Sequence, residues 1–202
     1  MNSKNVDLYS NPYTKAMNWA LRYVNEVKNN RINRSCLLII NILYWTGMRI
    51  GEVMALRSKD ITNGVIHVTR SVMSINKTIT TPKTRSSIRD ISISKTLQTE
   101  IVEFIQKIPY YDEEDLLFGV SAFSVSNFLT KICKNADVPQ IRVHDLRHSH
   151  ASFLIERSYP VIAIKERLGH KNIQTTLDIY GHLYLNKDKE IADEIDQFII
   201  KK

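Results

Sequence analysis

The stretch RVHDLRHSHASFLIERSY, residues 142–159, gathers three histidines and three arginines on a segment with a helical apolar pattern. Leu146, Phe153 and Leu154 supply the apolar side expected to anchor this helix in a core. His144 and His148 are four apart, a spacing that could hold a metal, while His144 and Arg147 are three apart on one helix face. An imidazole beside a guanidinium suits a phosphodiester, because arginine offers a planar donor fork and histidine can donate or move a proton. The metal alternative needs a third ligand. The segment has no H-E-x-x-H order, and Arg147 between the two histidines would repel a cation. His148 and His150 are then packing residues or supports for the site.

Outward from this stretch, most segments repeat the helical period. Met17, Ala20, Leu21, Val24 and Val27 predict a helix over 13–29. SCLLIINILYWTGMRIGEVMALR reads as a buried helix broken at Gly47, followed by a short second helix. GVIHVTRSV and SSIRDISIS are β-branched and partly alternating, with KTITTPKTR between them as strand and turn, so a small antiparallel sheet is expected. KTLQTEIVEFIQKIP and SVSNFLTKICKNADV are helices that stop before Pro109 and Pro139. PVIAIKERLGHKN has a proline near its start and Gly169 to close it, and a further short helix carries IQTTLDIYGH. The fold class is mainly α with one small antiparallel β-sheet.

Bulk properties narrow the function. No run of about 18 apolar residues is present to span a membrane. The N-terminal segment lacks the apolar core of a signal peptide. Cys36 and Cys133 are far apart on apolar helix faces, which predicts buried free thiols and a cytosolic protein. The net charge of +7 is uneven. Residues 1–110 carry 16 Lys/Arg against 7 Asp/Glu, and residues 111–202 carry 12 against 14. A basic first half is the electrostatic footprint of a polyanion binder, although it also serves solubility.

Several polar residues stand out, each with a bland reading of its own. Arg49 follows Gly47 beside a deeply apolar run, so it must snorkel or meet an anion, and Glu52 three residues on can orient it or simply pair with it. Lys83 falls in a turn, where a lysine is ordinarily just solvated. His170 follows a glycine cap, and Tyr180 lies in a short amphipathic helix where a tyrosine is ordinarily core or interface.

Together, in the order Arg49, Lys83, His144-x-x-Arg147, His170, Tyr180, these residues are far more specific. With TGMRIGE, HDLRHSHAS and RLGHKNIQTTLDIYGH all present, the chain resembles the tyrosine recombinases of the phage integrase family over residues 34–184. TPKTRSSIRDISI is similar to integrases of Gram-positive phages and mobile elements. The resemblance implies the catalytic-domain fold of these DNA breaking–rejoining enzymes and a site-specific recombinase acting in integration and excision. It implies that Tyr180 attacks the scissile phosphate to give a 3′-phosphotyrosyl link, with Arg49 and Arg147 clamping the non-bridging oxygens. Lys83 would protonate the leaving 5′-oxygen, His144 would exchange a proton with the tyrosine, and His170 would donate to the phosphate. Glu52 and His148 would support these groups from behind. Removing one such fixed donor costs about 3–4 kcal/mol of barrier. No metal, cofactor or ATP is implied, because surrounding cations favour the phenoxide of a group whose ordinary pKa is about 10.

The same resemblance sets further expectations. Residues 1–12 are a tail or linker remnant, 13–184 the catalytic domain, and 185–202 a C-terminal tail helix with Ile191, Ile195, Phe198 and Ile199 on one face. The chain is expected to be part of a longer integrase whose preceding domain clamps DNA, with a naturally short recombinase as the alternative. Arg57, Lys59, Arg85 and Lys171 are expected DNA contacts. The expected partner is double-stranded DNA, bound as a homo-tetramer on paired sites and as a monomer without DNA, with accessory directionality or bending proteins and no membrane. The expected location is the bacterial host cytoplasm, at the nucleoid. A type IB topoisomerase shares the chemistry, and a silent DNA-binding module is the non-enzymatic rival.

Overall fold

The computed structural model describes residues 12–23, 25, 30–72, 78–80 and 87–183, and then 192–193, 195–197 and 199. Its spine is helix α2 (Arg31–Thr46), buried along most of its length from Cys36 to Tyr44. The Asn30 side chain caps it by accepting from the Asn33 amide at 2.9 Å. At its other end Gly47 turns left-handed at φ 67°, and its amide donates to the Leu43 carbonyl. α1 (Pro12–Arg22), α4 (Lys95–Gln106), α5 (Ala122–Asn135) and α6 (Asp145–Glu156) pack around α2. Short α3 (Ile50–Met54) continues from its end. Serine caps start α4 and α5, with Ser94 accepting from the Leu97 amide and Ser121 from the Ser124 amide. α1 is followed by π-helical backbone at Tyr23 and Asn25, and the rest of the helix expected to residue 29, at 24 and 26–29, lies outside the described residues.

The expected small antiparallel sheet is present, and among the described residues the strands fall into two sheets. β1 (Ile61–Thr62), β2 (Val65–Val68) and β5 (Arg89–Ser92) form an antiparallel sheet in the order β1-β2-β5, while β3 (Ser71–Val72) pairs with β4 (Ile79–Thr80). β1 is an addition to the sequence reading. It exists because Asn63 and Gly64, at φ 51° and 75°, make a tight hairpin turn back into β2. Ile66, Val68 and Ile91 point inward and are buried. On the outer face the His67 ring lies between Asp90 Oδ1 at 2.7 Å and Thr62 Oγ1 at 2.8 Å.

α7 (Val161–Leu168) packs on β5, α6 and α8 (Gln174–Leu183). Ala151, Ile155, Ile164 and Leu168 make a second small core where α6 meets α7. α6 corrects one expectation. Its fully inward face is Leu146, Arg147, His150, Ala151 and Ile155, whereas Phe153 and Leu154 are only half-buried. Phe153 is rotated aside against Trp45, edge-on at 5.8 Å, and under the Arg157 guanidinium. Cys36 and Cys133 are buried free thiols. Among the described residues no helix is long and apolar enough to cross a membrane.

Candidate active site

The ends of α2, α6 and α7 meet around a cavity of about 330 Å³. Arg49, His144, Arg147, His148, His170 and Lys171 all line it. Thr175 and Ile179 of α8 close one side.

Local folding places each group. Gly47 ends α2, so Arg49 stands two residues later at the start of α3. There its amide donates to Glu52 Oε2 and its Nη1 to Glu52 Oε1, both at 2.9 Å. Its Nη2 donates to the Gly169 carbonyl at 3.2 Å. Arg147 is only 4% exposed. It donates from Nη1 to the Gly47 carbonyl at 2.6 Å and from Nη2 to the Leu168 carbonyl at 2.7 Å. His144 stands at the start of α6, its ring edge-on to His148 at 4.9 Å. Gly169 ends α7 in the left-handed region at φ 69°, which turns His170 back into the cavity wall. There His170 Nδ1 is 2.9 Å from Thr176 Oγ1, and Thr176 is fully buried.

The electrostatics follow from burial and crowding. Arg49 and Arg89 both pair with Glu52. Burial pushes the Glu52 carboxyl up, but the bonds and charge of Arg89 and Arg49 override it and leave it below its ordinary value. Burial, then the nearby Arg49, lowers Arg147 to about 9, which leaves it protonated at neutral pH. Burial, then Arg147, Arg49 and Arg89, lowers His170 to about 4. His144 is lowered by burial first and then by His148 and Arg147. The result is a cavity with surplus fixed positive charge and with His144 and His170 held toward the neutral form at its wall, able to hold a tetrahedral anion and to exchange a proton with it.

Not every expected residue belongs to this cluster. Arg57 and Lys59 point elsewhere, both paired with the exposed Glu114. Lys83 and Arg85 lie outside the described residues. The backbone of Tyr180 lies in α8, one residue after the cavity-lining Ile179, and its side chain is outside the described set. His150 sits behind the cavity, 2% exposed, where Arg167 Nε donates to its Nε2 at 3.1 Å. Among the described residues, no three His, Cys, Asp or Glu side chains group to hold a metal ion.

Three contributors were not among the expected residues: Arg89, Arg167 and Thr176. Arg89 forks onto Glu52 at 3.1 and 2.9 Å. Arg167 donates to the Ser92 and Trp45 carbonyls as well as to His150. Each of the two arginines reads locally as a solvated charge, and its partners are backbone carbonyls or residues distant in the chain. Thr176 had a weak signal, since it is a threonine six residues after a histidine in a helix that otherwise reads as amphipathic.

The chain is similar to several known proteins. The ICEBs1 integrase of Bacillus subtilis is 37% identical over 175 residues, covering 78% of this chain and 48% of that protein. Transposase A from transposon Tn554 of Staphylococcus aureus is 32% identical over 180 residues, covering 82% and 47%. The chain thus spans about half the length of these relatives. Among solved structures, the Tn1549 transposon integrase in complex with transposon right end DNA superposes with a TM-score of 0.74 at 21% identity, over 92% of this chain and 65% of that one. XerA recombinase does so at 0.63 and 18%, over 98% and 65%. These likenesses establish the fold as that of tyrosine recombinase catalytic domains. With the phage integrase family pattern matching residues 15–187 and two relatives above 30% identity, the chain belongs to the phage integrase family.

Proposed function

We propose that this chain carries the strand-cleaving site of a site-specific tyrosine recombinase that integrates and excises a phage or mobile element. The observation that carries the reading is the convergence of Arg49, Arg147, His144 and His170 on one cavity against the helix that bears Tyr180. In this reading the Tyr180 oxygen attacks phosphorus, the bond to the 5′-oxygen breaks, and the 5′-hydroxyl leaves with a proton from Lys83. A 5′-hydroxyl from a second strand then reverses the step, so the phosphodiester is conserved without ATP. Arg49 and Arg147 already have fixed directions, which suits them to charge that builds up on the non-bridging oxygens. His170 donates to one oxygen, and His144 takes and returns the tyrosine proton. Glu52 and His148 hold these groups in place, and Lys171 at the cavity rim meets the DNA backbone.

The partner is double-stranded DNA, as the Tn1549 integrase complex suggests by analogy. We propose a tetramer on paired sites, held by the tail after α8 docking on a neighbour. Exposed Ile195 and Ile199 on helical backbone there support this.

The test is a nicked suicide duplex. The wild-type chain should form a covalent adduct that Tyr180→Phe cannot form, with duplex binding unchanged. An adduct that persists in the variant moves the nucleophile to another residue, and no adduct from wild type leaves a DNA-binding module. Strand exchange between two sites, as opposed to supercoil relaxation alone, separates a recombinase from a topoisomerase. Adduct formation should survive EDTA, because the guanidiniums supply the positive charge; loss restored by a divalent metal would overturn the cation-only site.

A further inference from the structure

The carbonyls of Arg167, Leu168 and Gly169, consecutive at the end of α7, each accept from a different arginine. Arg89 Nε reaches the first at 2.7 Å, Arg147 Nη2 the second at 2.7 Å, and Arg49 Nη2 the third at 3.2 Å. A helix leaves its last carbonyls without intrahelical donors and its C-terminus partly negative, so one turn of α7 draws in three cations. Arg49 and Arg147 also line the cavity, whereas Arg89 does not. The Arg89 side chain is 7% exposed, and its other donors go to both Glu52 oxygens and to the Ser87 carbonyl. Both Glu52 oxygens are therefore shared: Oε1 between Arg49 Nη1 and Arg89 Nη1, Oε2 between the Arg49 amide and Arg89 Nη2.

We infer that Arg89 is a positioning residue for the phosphate clamp: by fixing Glu52 and the Arg167 carbonyl together, it sets where Arg49 and His170 stand. The inference rests on the function proposed above. Without Arg89, the 3%-exposed Glu52 would keep, among the described residues, only Arg49, itself 39% exposed, as a direct ionic partner. Arg147 from α6 feels the charge of the same carboxylate while its own hydrogen bonds go to the Gly47 and Leu168 carbonyls. Burial would then dominate and favour the neutral acid, which accepts poorly from Arg49. β5 also follows the segment that bears Lys83, so the same anchor fixes the strand leading away from that lysine.

The experiment measures single-turnover adduct formation on the nicked duplex from pH 4 to 8 for wild type, Arg89→Lys, Arg89→Met and Glu52→Gln, with thermal melting of each. Lysine keeps the charge but cannot span both Glu52 and the Arg167 carbonyl. Arg89→Lys should stay folded and bind the duplex as wild type does, while its rate at pH 7 falls about tenfold or more, as expected for a misplaced clamp. Its acid limb should move to higher pH as Glu52 becomes easier to protonate. In the Glu52→Gln background the same substitution should add little loss and no pH shift. An unchanged rate and limb in Arg89→Lys, or a loss equal at every pH and in both backgrounds, would overturn the inference, whether or not Arg89→Met folds. If wild type forms no adduct, the proposed function fails by itself. The positioning role is then judged by inorganic phosphate binding, followed through the His170 ring by NMR: affinity that Arg89→Lys leaves unchanged overturns it, and weakened affinity upholds it.

Discussion

Replacing Gly47 with alanine should damage the site both through the backbone and through the one added carbon. Gly47 has φ 67°, and an added Cβ would lie 2.5 Å from Leu168 Cδ2 and 2.7 Å from His150 Cδ2. The left-handed conformation costs a non-glycine residue about 1–2 kcal/mol. Both neighbours are buried side chains of the packed seam between α6 and α7, so relieving the overlap adds about 1–3 kcal/mol. The expected total of about 2–5 kcal/mol is a large share of the 5–15 kcal/mol that ordinarily separates folded from unfolded chains. Gly64→Ala is the internal control. Its φ is 75°, but the nearest atom to its Cβ would be the end of the Gln98 side chain at 3.3 Å, so it isolates the backbone part. Urea unfolding should show a midpoint lower by roughly 1–2 M for Gly47→Ala and by well under 1 M for Gly64→Ala, with similar slopes. Adduct formation should fall in Gly47→Ala even at low urea, because the Gly47 carbonyl is an anchor of Arg147 at 2.6 Å. Equal losses in the two variants would refute the argument, since they would mean that Leu168 and His150 give way freely.

Acid should weaken the fold in a defined window. Burial holds His150 at about 3, so below about pH 6.5 the unfolded chain takes up a proton that the folded chain refuses, and stability is lost as pH falls. The loss from His150 alone is about 2 kcal/mol at pH 5, and His170 adds in the same direction; a flat curve between pH 7 and 5 would mean that these rings are protonated in the folded state. Duplex binding should weaken steeply with salt, each neutralised phosphate adding roughly −0.9 to the log–log slope, and a nearly salt-independent affinity would count against backbone contacts. Thr176→Val should slow adduct formation more than Thr176→Ser, because only serine keeps a hydroxyl beside His170 Nδ1; equal rates would sever Thr176 from the chemistry. Ile195→Asp with Ile199→Asp should weaken assembly on paired sites and spare single-site cleavage, and normal assembly would remove the tail from the interface.

The helices were legible because period and punctuation agreed. Gly47 and Gly169 each end a helix in the left-handed region, and the spacing that joined His144 to Arg147 reaches the cavity. Phe153 and Leu154 misled because α6 turns Arg147 and His150 inward, and a hydrophobic pattern does not register polar groups that are held by hydrogen bonds inside. β1 escaped because it is two residues long and shows only through its Asn63-Gly64 turn. The split into two sheets depends on pairing, which no local pattern of alternation encodes. Arg89 escaped for a related reason. Its partner Glu52 is 37 residues away, and a carbonyl acceptor looks alike in every residue.

That last point bears on how such a site tolerates change. The end of α7 grips three arginines with peptide oxygens, which are present whatever the side chains happen to be. Exposed positions on the same helix, such as Ile162, Ala163 and Glu166, can therefore drift without disturbing the grip. A single-residue insertion or deletion between Lys165 and His170 has no such freedom. It would rotate the oxygens by about 100° at each step of the helix and hand the arginines the wrong acceptors. The cluster is thus robust to spelling errors in this turn and intolerant of errors in counting.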